Sequence, residues 1–287
     1  MKAKMLFKLT VLFSVYIWGG AACLAQENIF IKNGQKVAFL GDVVTTGSAT
    51  GYAQQVMRGL EANGVKAEMI LCGNAGTSEQ LLAHLDEYVI VKKPDWMILN
   101  CGVSDAWAQH SLDQYQQAIA QIVEKTQVAG IKVVIATATM ADEDPANQFN
   151  QRIAAYNGFL RQLAKDKKCQ LADFDMPAAV VSAGGGAHSK RGKVLLVSDY
   201  VYLNPLGNQL LGVVILKTLG LSSEQIQKAR DSWLDRPDIC EAKVGLTLRQ
   251  YERLDALAAK QNRATSELLA EMVAKALAAE SHQAQTP

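Results

Sequence analysis

KVAFLGDVVTT, residues 36–46, is the stretch of sequence that decides the fold. Its short apolar run, residues 36–40, ends in a Gly-Asp pair, a pattern typical of a buried strand that passes into a turn. The residue after the pair, Val43, has no lone pair or acidic proton that a base could activate. The stretch therefore predicts a strand whose carboxyl end carries an aspartate but no nucleophile.

Similar apolar runs recur along the chain and alternate with segments of helical periodicity. The predicted strands are residues 36–40, 67–72, 96–101, 131–137 and 170–174. The predicted helices are residues 52–62, 78–89, 112–128, 150–165 and 205–219. This alternation predicts an α/β fold, a three-layer doubly wound parallel sheet, which binds ligands at the carboxyl ends of its strands.

Four short motifs lie at such strand ends. In chain order they are Gly-Asp-Val-Val-Thr (41–45), Asn-Ala-Gly (74–76), Gly-Val-Ser-Asp (102–105) and Asp-Tyr-Val-Tyr-Leu-Asn-Pro-Leu-Gly (199–207). Because the carboxyl ends of parallel strands share one edge of the sheet, we expect their side chains to meet in one crevice. The residues expected there are Asp42, Val43, Gly76, Ser104, Asp105 and Asp199.

The four ordered motifs resemble the blocks of the SGNH (GDSL-type) hydrolases over residues of about 28–221. The resemblance implies the fold of that family and its activity, hydrolysis of esters or deacetylation of lipids or carbohydrates. It places Val43 at the serine nucleophile, Ser104 at the asparagine that donates to the oxyanion, and Tyr202 at the general-base histidine. Of the four residues that name the family only Gly76, whose backbone N–H helps to form the oxyanion hole, remains.

These replacements remove each requirement of ester hydrolysis: an activated hydroxyl, a base, and donors aimed at the oxyanion. Val43 has no hydroxyl, and Tyr202, with a reference pKa of about 10, is a poor base near neutral pH. Ser104 is shorter than asparagine and leaves its donor out of reach. The sequence therefore predicts a pseudoenzyme with no intact catalytic residue, although four residues of the motifs are retained: Asp42, Gly76, Asp105 and Asp199.

An alternative is an active esterase or deacetylase that uses displaced groups. Thr45, Thr46 and Ser48 follow the missing serine, although hydroxyl residues at such positions are also common in turns and caps. His188, in the Gly-rich segment 182–192, is the candidate base. The remaining histidines before residue 240 are predicted to lie on the surface: His84 and His110.

Neither a metal nor a cofactor is indicated by the sequence. A cation held by Asp42, Asp105 and Asp199 is the one alternative, but carboxylates at strand ends commonly accept backbone N–H groups instead. The cysteines that follow the leader are Cys72, Cys101, Cys169 and Cys240. None forms a Cys-x-x-Cys pair, and the first three lie at strand edges, where free thiols are expected.

Aromatic residues near the third and fourth motifs suggest a binding function. Trp107, Tyr200 and Tyr202 would place ring faces beside the retained carboxylates, a combination that suits a glycan or another small polar ligand. Alternatively, the two tyrosines only fill the space left by the family's glycine and histidine. The predicted binding residues are Asp42, Gly76, Ser104, Asp105, Trp107, Asp199, Tyr200 and Tyr202. Trp96, inside the third strand, is predicted to be core.

The first 25 residues have the pattern of a secretory signal peptide, with Lys2, Lys4 and Lys8 before a short apolar core and small residues up to Ala25. They predict an exported protein, periplasmic or extracellular. In the alternative, a lipoprotein, Cys23 carries the lipid, and only then is a membrane a partner. The formal charge of +1 over 287 residues gives no electrostatic reason to expect nucleic acid.

The sequence pattern changes after residue 221, where the hydrolase-like domain (26–221) is predicted to end. A helical linker (222–240), a strand-helix-helix module (241–280) and a disordered tail (281–287) are predicted to follow. The module, with a strand at 243–248, helices at 249–261 and 266–279, and Thr265 as N-cap, resembles a ribbon-helix-helix dimer. Its balanced charge favours homodimerisation over DNA binding, so an assembly protein dimerised by this module is the third functional alternative.

Overall fold

The computed structural model describes residues 29–46, 50–72, 76–185, 194–196, 201–234, 236 and 244–283. The chain divides into two compact units, Met1–Cys240 and Glu241–Pro287, which are described separately below. No helix within the described ranges is both long enough and apolar enough to cross a membrane.

The first unit is built on a parallel sheet. Its strands are β1 (Lys36–Gly41), β2 (Glu68–Cys72), β3 (Trp96–Asn100), β4 (Lys132–Ala136) and β5 (Gln170–Ala172). Their spatial order is β2-β1-β3-β4-β5, so the chain reverses direction across the sheet after β2. All neighbouring strands are parallel, and the register aligns Gly41 with Asn100 and Asn100 with Ala136 at the carboxyl edge. The predicted α/β fold is confirmed.

The helices of the first unit lie in two layers that flank this sheet. They are α1 (Val43–Thr46), α2 (Tyr52–Ala62), α3 (Ser78–Ala83), α4 (Leu85–Tyr88), α5 (Val103–Trp107), α6 (Leu112–Val128), α7 (Gln148–Asp166), α8 (Met176–Ser182), α9 (Pro205–Thr218) and α10 (Ser223–Leu234). Helix α2 packs against α9 and α10, whereas α6 packs against α3 and α7. A sheet covered on both faces explains why its strands are near-continuous apolar runs.

The core lies between the sheet and the helices. Every residue of β3 is buried, as are residues 37–40 of β1. Trp96 is 5% exposed and packs in this core, as predicted. Cys72, Cys101 and Cys169 are free thiols, and burial raises the pKa of each. Cys240 lies outside the described residues.

The predicted helix 78–89 is two short helices, α3 and α4, because His84 has non-helical backbone angles. Three further short helices, α1, α5 and α8, directly follow the ends of strands or the turns after them. Each is seven residues or fewer. Such lengths are too short to show a helical period in the sequence.

The predicted linker 222–240 is corrected in its first half, because α10 belongs to the first unit. Ile226, Ala229 and Trp233 are buried in the main core. Gly59 of α2 allows the close approach, since a Cβ there would lie 2.6 Å from Leu216 Cδ1 and 3.1 Å from Ala229 Cβ. Helix α10 is therefore a structural helix of the hydrolase-like unit rather than a spacer.

The second unit contains α11 (Leu248–Lys260) and α12 (Thr265–Gln283). Thr247 caps α11, since its side chain accepts from Gln250 N while the Gln250 side chain accepts from Thr247 N. Residues 244–247 form no strand, which corrects the predicted strand 243–248 in its described part. Within one chain, a lone strand has no neighbour to complete its hydrogen bonds.

Two smaller expectations for the second unit are also corrected. Thr265 is the first residue of α12 rather than its N-cap, and its hydroxyl donates to Asp255 Oδ1 at 3.0 Å. Helix α12 continues to Gln283, so residues 281–283 are helical and not part of a disordered tail. Residues 284–287 lie outside the described residues.

Candidate functional site

Asp42 joins the first motif to the third. Its side chain is fully buried, and its Oδ2 accepts backbone N–H groups from Gly102 (3.0 Å), Val103 (2.8 Å) and Ser104 (3.2 Å). Its Oδ1 accepts from Val44 N at 3.1 Å. The carboxylate thus binds the free N–H groups at the start of α5 and of α1, which are the groups that a helix leaves unpaired. Both oxygens of Asp42 therefore accept hydrogen bonds within the fold.

Burial and hydrogen bonding act in opposite directions on Asp42. The bonds from Ser104, Val44 and Gly102 favour the ionised carboxylate, but removal from water disfavours it more strongly. Burial therefore raises the pKa of Asp42 from 3.8 to about 6. The aspartate of the first motif is a group that titrates at weakly acidic pH.

Asp105 of the third motif is equally buried and binds the start of α3. Its carboxylate accepts from Ser78 N at 3.0 and 3.1 Å and from Ser78 Oγ at 2.6 Å. Cys101 Sγ also contacts it at 3.4 Å. Asp42 and Asp105 therefore hold three segments of the crevice together. Both carboxylates accept backbone N–H groups, which is the alternative to a bound cation that the sequence analysis gave for them.

Val43 of the first motif and Ser104 of the third lie together. Val43, half-buried, begins α1 directly after Asp42, and Ser104 N donates to the carboxylate of the same Asp42. Gly76 is half-buried and precedes α3, which Asp105 binds. The structure thus brings together the two carboxylates, the valine and the serine, as the sequence predicted.

Of the fourth motif, only residues from 201 onward are described. Tyr202 is half-buried, and its neighbour Leu203 forms an antiparallel bridge with Leu196. Asn204 caps α9 by accepting from Gly207 N at 3.0 Å, and its Nδ2 donates to Val194 O at 2.8 Å. Asp199 and Tyr200, predicted site residues, lie outside the described residues.

The hydroxyls of Thr45 and Thr46, in α1, are hydrogen-bonded within the fold. Thr45 is buried, and its Oγ1 shares a hydrogen bond with Tyr52 Oη (2.8 Å) and donates to Asn100 O (3.3 Å). Thr46 Oγ1 donates to Asp42 O at 3.2 Å. Both threonines are therefore turn residues. Ser48 and His188, the candidate displaced dyad, lie outside the described residues.

Trp107 offers an aromatic surface beside the third motif. It is 43% exposed, and one face of its ring stacks on Phe149 of α7 with centroids 4.4 Å apart and planes 20° apart. This contact fixes the orientation of the indole and leaves a large part of it open to solvent. An oriented, exposed ring of this kind suits stacking on a sugar.

Glu143 is a site residue that the sequence analysis missed. It lies in the loop after β4, is 4% exposed, and accepts from the backbone N–H groups of Val194 (2.8 Å), Leu195 (2.5 Å) and Leu196 (2.8 Å). These residues pair with Leu203 and Asn204, so Glu143 holds the segment from which the fourth motif extends. The loop around Glu143 is acidic, and acidic runs usually lie in solvent. The sequence therefore did not indicate that this side chain is buried and hydrogen-bonded.

His110 was predicted to be a surface residue, and this is wrong. Its side chain is 16% exposed, and its Nδ1 lies 3.0 Å from Asp105 Oδ1. His84, by contrast, is 49% exposed and pairs with Glu87 at 3.5 Å, as expected of a surface residue. Within the described ranges, no group of three or more His, Cys, Asp or Glu is placed to hold a metal ion.

The fold and these motifs define a class of protein. The chain belongs to the GDSL-like lipase/acylhydrolase family, whose model matches residues 39–210. An acetylxylan esterase from Geobacillus stearothermophilus is 26% identical over 171 residues, which are 50% of this chain and 77% of that protein.

Solved structures of acetylxylan esterases share the fold. The acetyl xylan esterase AlAXEase is 27% identical, with a TM-score of 0.57 over 63% of this chain and 98% of that one. Axe2 from Geobacillus stearothermophilus is 21% identical, with a TM-score of 0.58 over 67% of this chain and 97% of that one. Catalytic mutants of Axe2 replace a serine, an aspartate and a histidine with alanine.

Proposed function

We propose that this protein is an exported, catalytically inactive member of its family that binds a carbohydrate ligand. One observation carries the proposal: the hydrogen bonds that assemble the crevice are intact, while the groups that would perform hydrolysis are replaced. Asp42 and Asp105 hold the first three motifs together. Val43, Ser104 and Tyr202 stand where the family has its nucleophile, oxyanion donor and base.

The loss of activity follows from the chemistry of the replacements. Removing the nucleophile of a serine hydrolase costs on the order of 10⁶-fold in kcat, and losses within a triad are not additive. The nearest described hydroxyls, Thr45 and Thr46, do not substitute, because both are hydrogen-bonded within the turn.

Two observations support a carbohydrate as ligand. The similar proteins named above are acetylxylan esterases, so members of this family with this fold act on an acetylated polysaccharide. In this chain Trp107 presents an oriented ring beside the third motif, and aromatic rings are common stacking surfaces for sugars. Loss of hydrolysis without loss of the binding surface gives a binding protein.

The test compares the parent protein with the triple variant Val43→Ser, Ser104→Asn, Tyr202→His in hydrolysis of p-nitrophenyl acetate and acetylated xylooligosaccharides. We expect no turnover above background by the parent and measurable turnover by the variant, because the scaffold positions the restored groups. The matched control, Val43→Ala in place of Val43→Ser, should be as inactive as the parent.

Hydrolysis by the parent protein would contradict the proposal and favour the displaced-residue esterase. Ser48→Ala and His188→Ala would then identify the groups responsible. Binding is measured separately, by calorimetry with acetylated xylooligosaccharides, and Trp107→Ala should weaken it. A parent protein that neither hydrolyses nor binds any glycan would leave only the assembly function.

Export is the part of this proposal that rests on the leader sequence. Residues 1–25 carry the basic, apolar and small-residue regions of a signal peptide in the correct order. The mass of the protein recovered from the producing cells should correspond to a chain that begins at Gln26. A lipid-modified chain that begins at Cys23 would establish the lipoprotein alternative.

We also propose that the second unit forms a homodimer. Among its described residues the core contains three buried side chains, Leu254, Ala258 and Leu268, too few for a unit of this size to fold alone. Large apolar side chains remain exposed on both helices and on the segment before them: Val244, Leu248, Tyr251, Leu257, Met272, Val273 and Leu277. A second copy is the simplest partner, because most soluble oligomers are symmetric dimers.

The segment before α11 adds a specific argument for a second copy. Val244, Leu246 and Leu248 alternate in the sequence as in a strand, but residues 244–247 have no strand partner in the described chain. The same segment of a second copy would complete the hydrogen bonds of both and cover the apolar faces of the helices.

Deletion of residues 241–287 should convert a dimer into a monomer in light scattering, and Leu277→Asp should do the same with the chain intact. Lys275→Asp, on the same helix but at a charged position, is the control and should stay dimeric. An unchanged mass after the deletion would exclude this interface.

A further inference from the structure

A second polar groove lies beside the remnant of the catalytic crevice, between the start of α6 and the first half of α7. It encloses about 400 Å³. His110, Gln148, Gln151 and Arg152 supply its polar walls, and Leu112 and Tyr156 contribute apolar surface. None of these residues belongs to the four family motifs, so the proposed pseudoenzyme site does not account for the groove.

Two buried residues fix the position of His110 by hydrogen bonds. Asp105, fully buried, accepts from Nδ1 at 3.0 Å, and Tyr156 Oη donates to the backbone oxygen of His110 at 2.6 Å. With Nδ1 donating to the carboxylate, Nε2 of the neutral ring is an acceptor for a hydroxyl. The nearest acidic group to Nε2 is Glu79, at 4.0 Å. The imidazole is thus oriented toward the groove before any ligand arrives.

Arg152 brings an uncompensated positive charge to the same groove. Among the described residues, the arginine ion pairs join Arg161 to Asp173 and Arg263 to Glu267 and Glu271, and none involves Arg152. A guanidinium without a carboxylate partner in a groove is suited to bidentate pairing with the carboxylate of a ligand.

The other walls suit the neutral part of a sugar acid. Gln148 and Gln151 each carry an amide that both donates and accepts hydrogen bonds, which matches sugar hydroxyls. Gln148 precedes Phe149, on which the exposed ring of Trp107 stacks. The aromatic surface and the polar groove therefore lie on neighbouring parts of the wall formed by α5 and α7.

We propose that this groove binds an acidic sugar, with Arg152 pairing with its carboxylate and His110, Gln148 and Gln151 binding its hydroxyls. The proposal rests on the proposed carbohydrate-binding function and deepens it by naming a substrate class, a uronic-acid-containing glycan. It also gives Asp105 a positioning role, because this carboxylate fixes the imidazole that faces the ligand.

The test measures binding of trigalacturonate, xylotriose and inorganic phosphate to the mature full-length protein by calorimetry at low ionic strength. We expect trigalacturonate to bind most tightly and Arg152→Gln to weaken it about tenfold or more, as loss of a charge-assisted pair should. Arg161→Gln is the matched control: it removes a cation from the same helix, but one already paired with Asp173, and should leave binding unchanged.

Three results would overturn the inference: no binding of trigalacturonate, an unchanged dissociation constant in Arg152→Gln, or equal affinity for phosphate. The measurement also separates this inference from the proposed function. If xylotriose binds and Trp107→Ala weakens it while Arg152→Gln does not, carbohydrate binding stands and the acidic-sugar groove fails. If trigalacturonate binds in an Arg152-dependent way but the parent protein hydrolyses acetylated xylooligosaccharides, the groove stands and the pseudoenzyme account fails.

Discussion

Glu143→Ala should destabilise the first unit by about 3–5 kcal/mol, because it leaves three buried backbone N–H groups without an acceptor. Glu143 Oε1 accepts from Val194, Leu195 and Leu196. Among the described residues, its Oε2 accepts from Val194, at 2.9 Å. Glu143→Gln keeps one oxygen in the pocket and should therefore lose clearly less than the alanine variant.

Urea unfolding of a protein that begins at Gln26, followed by tryptophan fluorescence, measures this effect. From residue 26 onward the sequence has tryptophans at Trp96, Trp107 and Trp233, all in the first unit, so the signal reports that unit. Glu124→Ala is the control; its side chain is 64% exposed, and it should change stability by less than about 0.5 kcal/mol. Equal losses in Glu143→Ala and Glu124→Ala would show that the carboxylate does not hold residues 194–196.

The second large effect is a pH dependence of stability that arises from Asp42. Burial raises its pKa from 3.8 to about 6, so between these values the folded protein holds a proton that the unfolded chain releases. The free energy of unfolding should therefore fall as pH rises from about 4 through about 6. The total loss is about 3 kcal/mol, since a tenfold change in proton affinity corresponds to about 1.4 kcal/mol.

Asp42→Asn isolates this contribution, because the amide does not titrate. The difference in unfolding free energy between parent and variant should change by about 3 kcal/mol between pH 3 and pH 7 in favour of the variant at the higher pH. A difference that is constant across this range would show that the four backbone N–H groups outweigh burial and keep Asp42 ionised at acid pH.

The sequence predicted the sheet well because its central strands β1, β3 and β4 are apolar runs buried on both faces, a pattern that depends on each segment alone. The meeting of Asp42, Val43 and Ser104 was also predictable, because parallel strands deliver their carboxyl ends to one edge. The prediction that α10 belongs to a linker was wrong because its burial depends on contacts with other segments. Its sequence is mostly polar, and only packing on Gly59 and Leu216 buries the few apolar residues that make it part of the core.

The missed polar residues share one cause. Glu143 bonds to residues more than fifty positions away, and His110, in the loop after α5, contacts an aspartate five positions earlier in that helix. Neither contact follows from the periodicity of a helix or a strand. The strand predicted before α11 is absent for a different reason: its alternation is present in the sequence, but the described residues offer no partner strand to complete its hydrogen bonds.

The hydrogen bonds of Asp42 imply unequal freedom to mutate along the first motif. Four backbone N–H groups depend on this carboxylate, so its replacement would disturb the starts of two helices whether or not the protein has a substrate. No such dependence attaches to position 43, where a half-buried valine is compatible with the same turn. Folding therefore constrains Asp42 more tightly than it constrains position 43, so a Gly-Asp pair can persist where the residue that follows it changes.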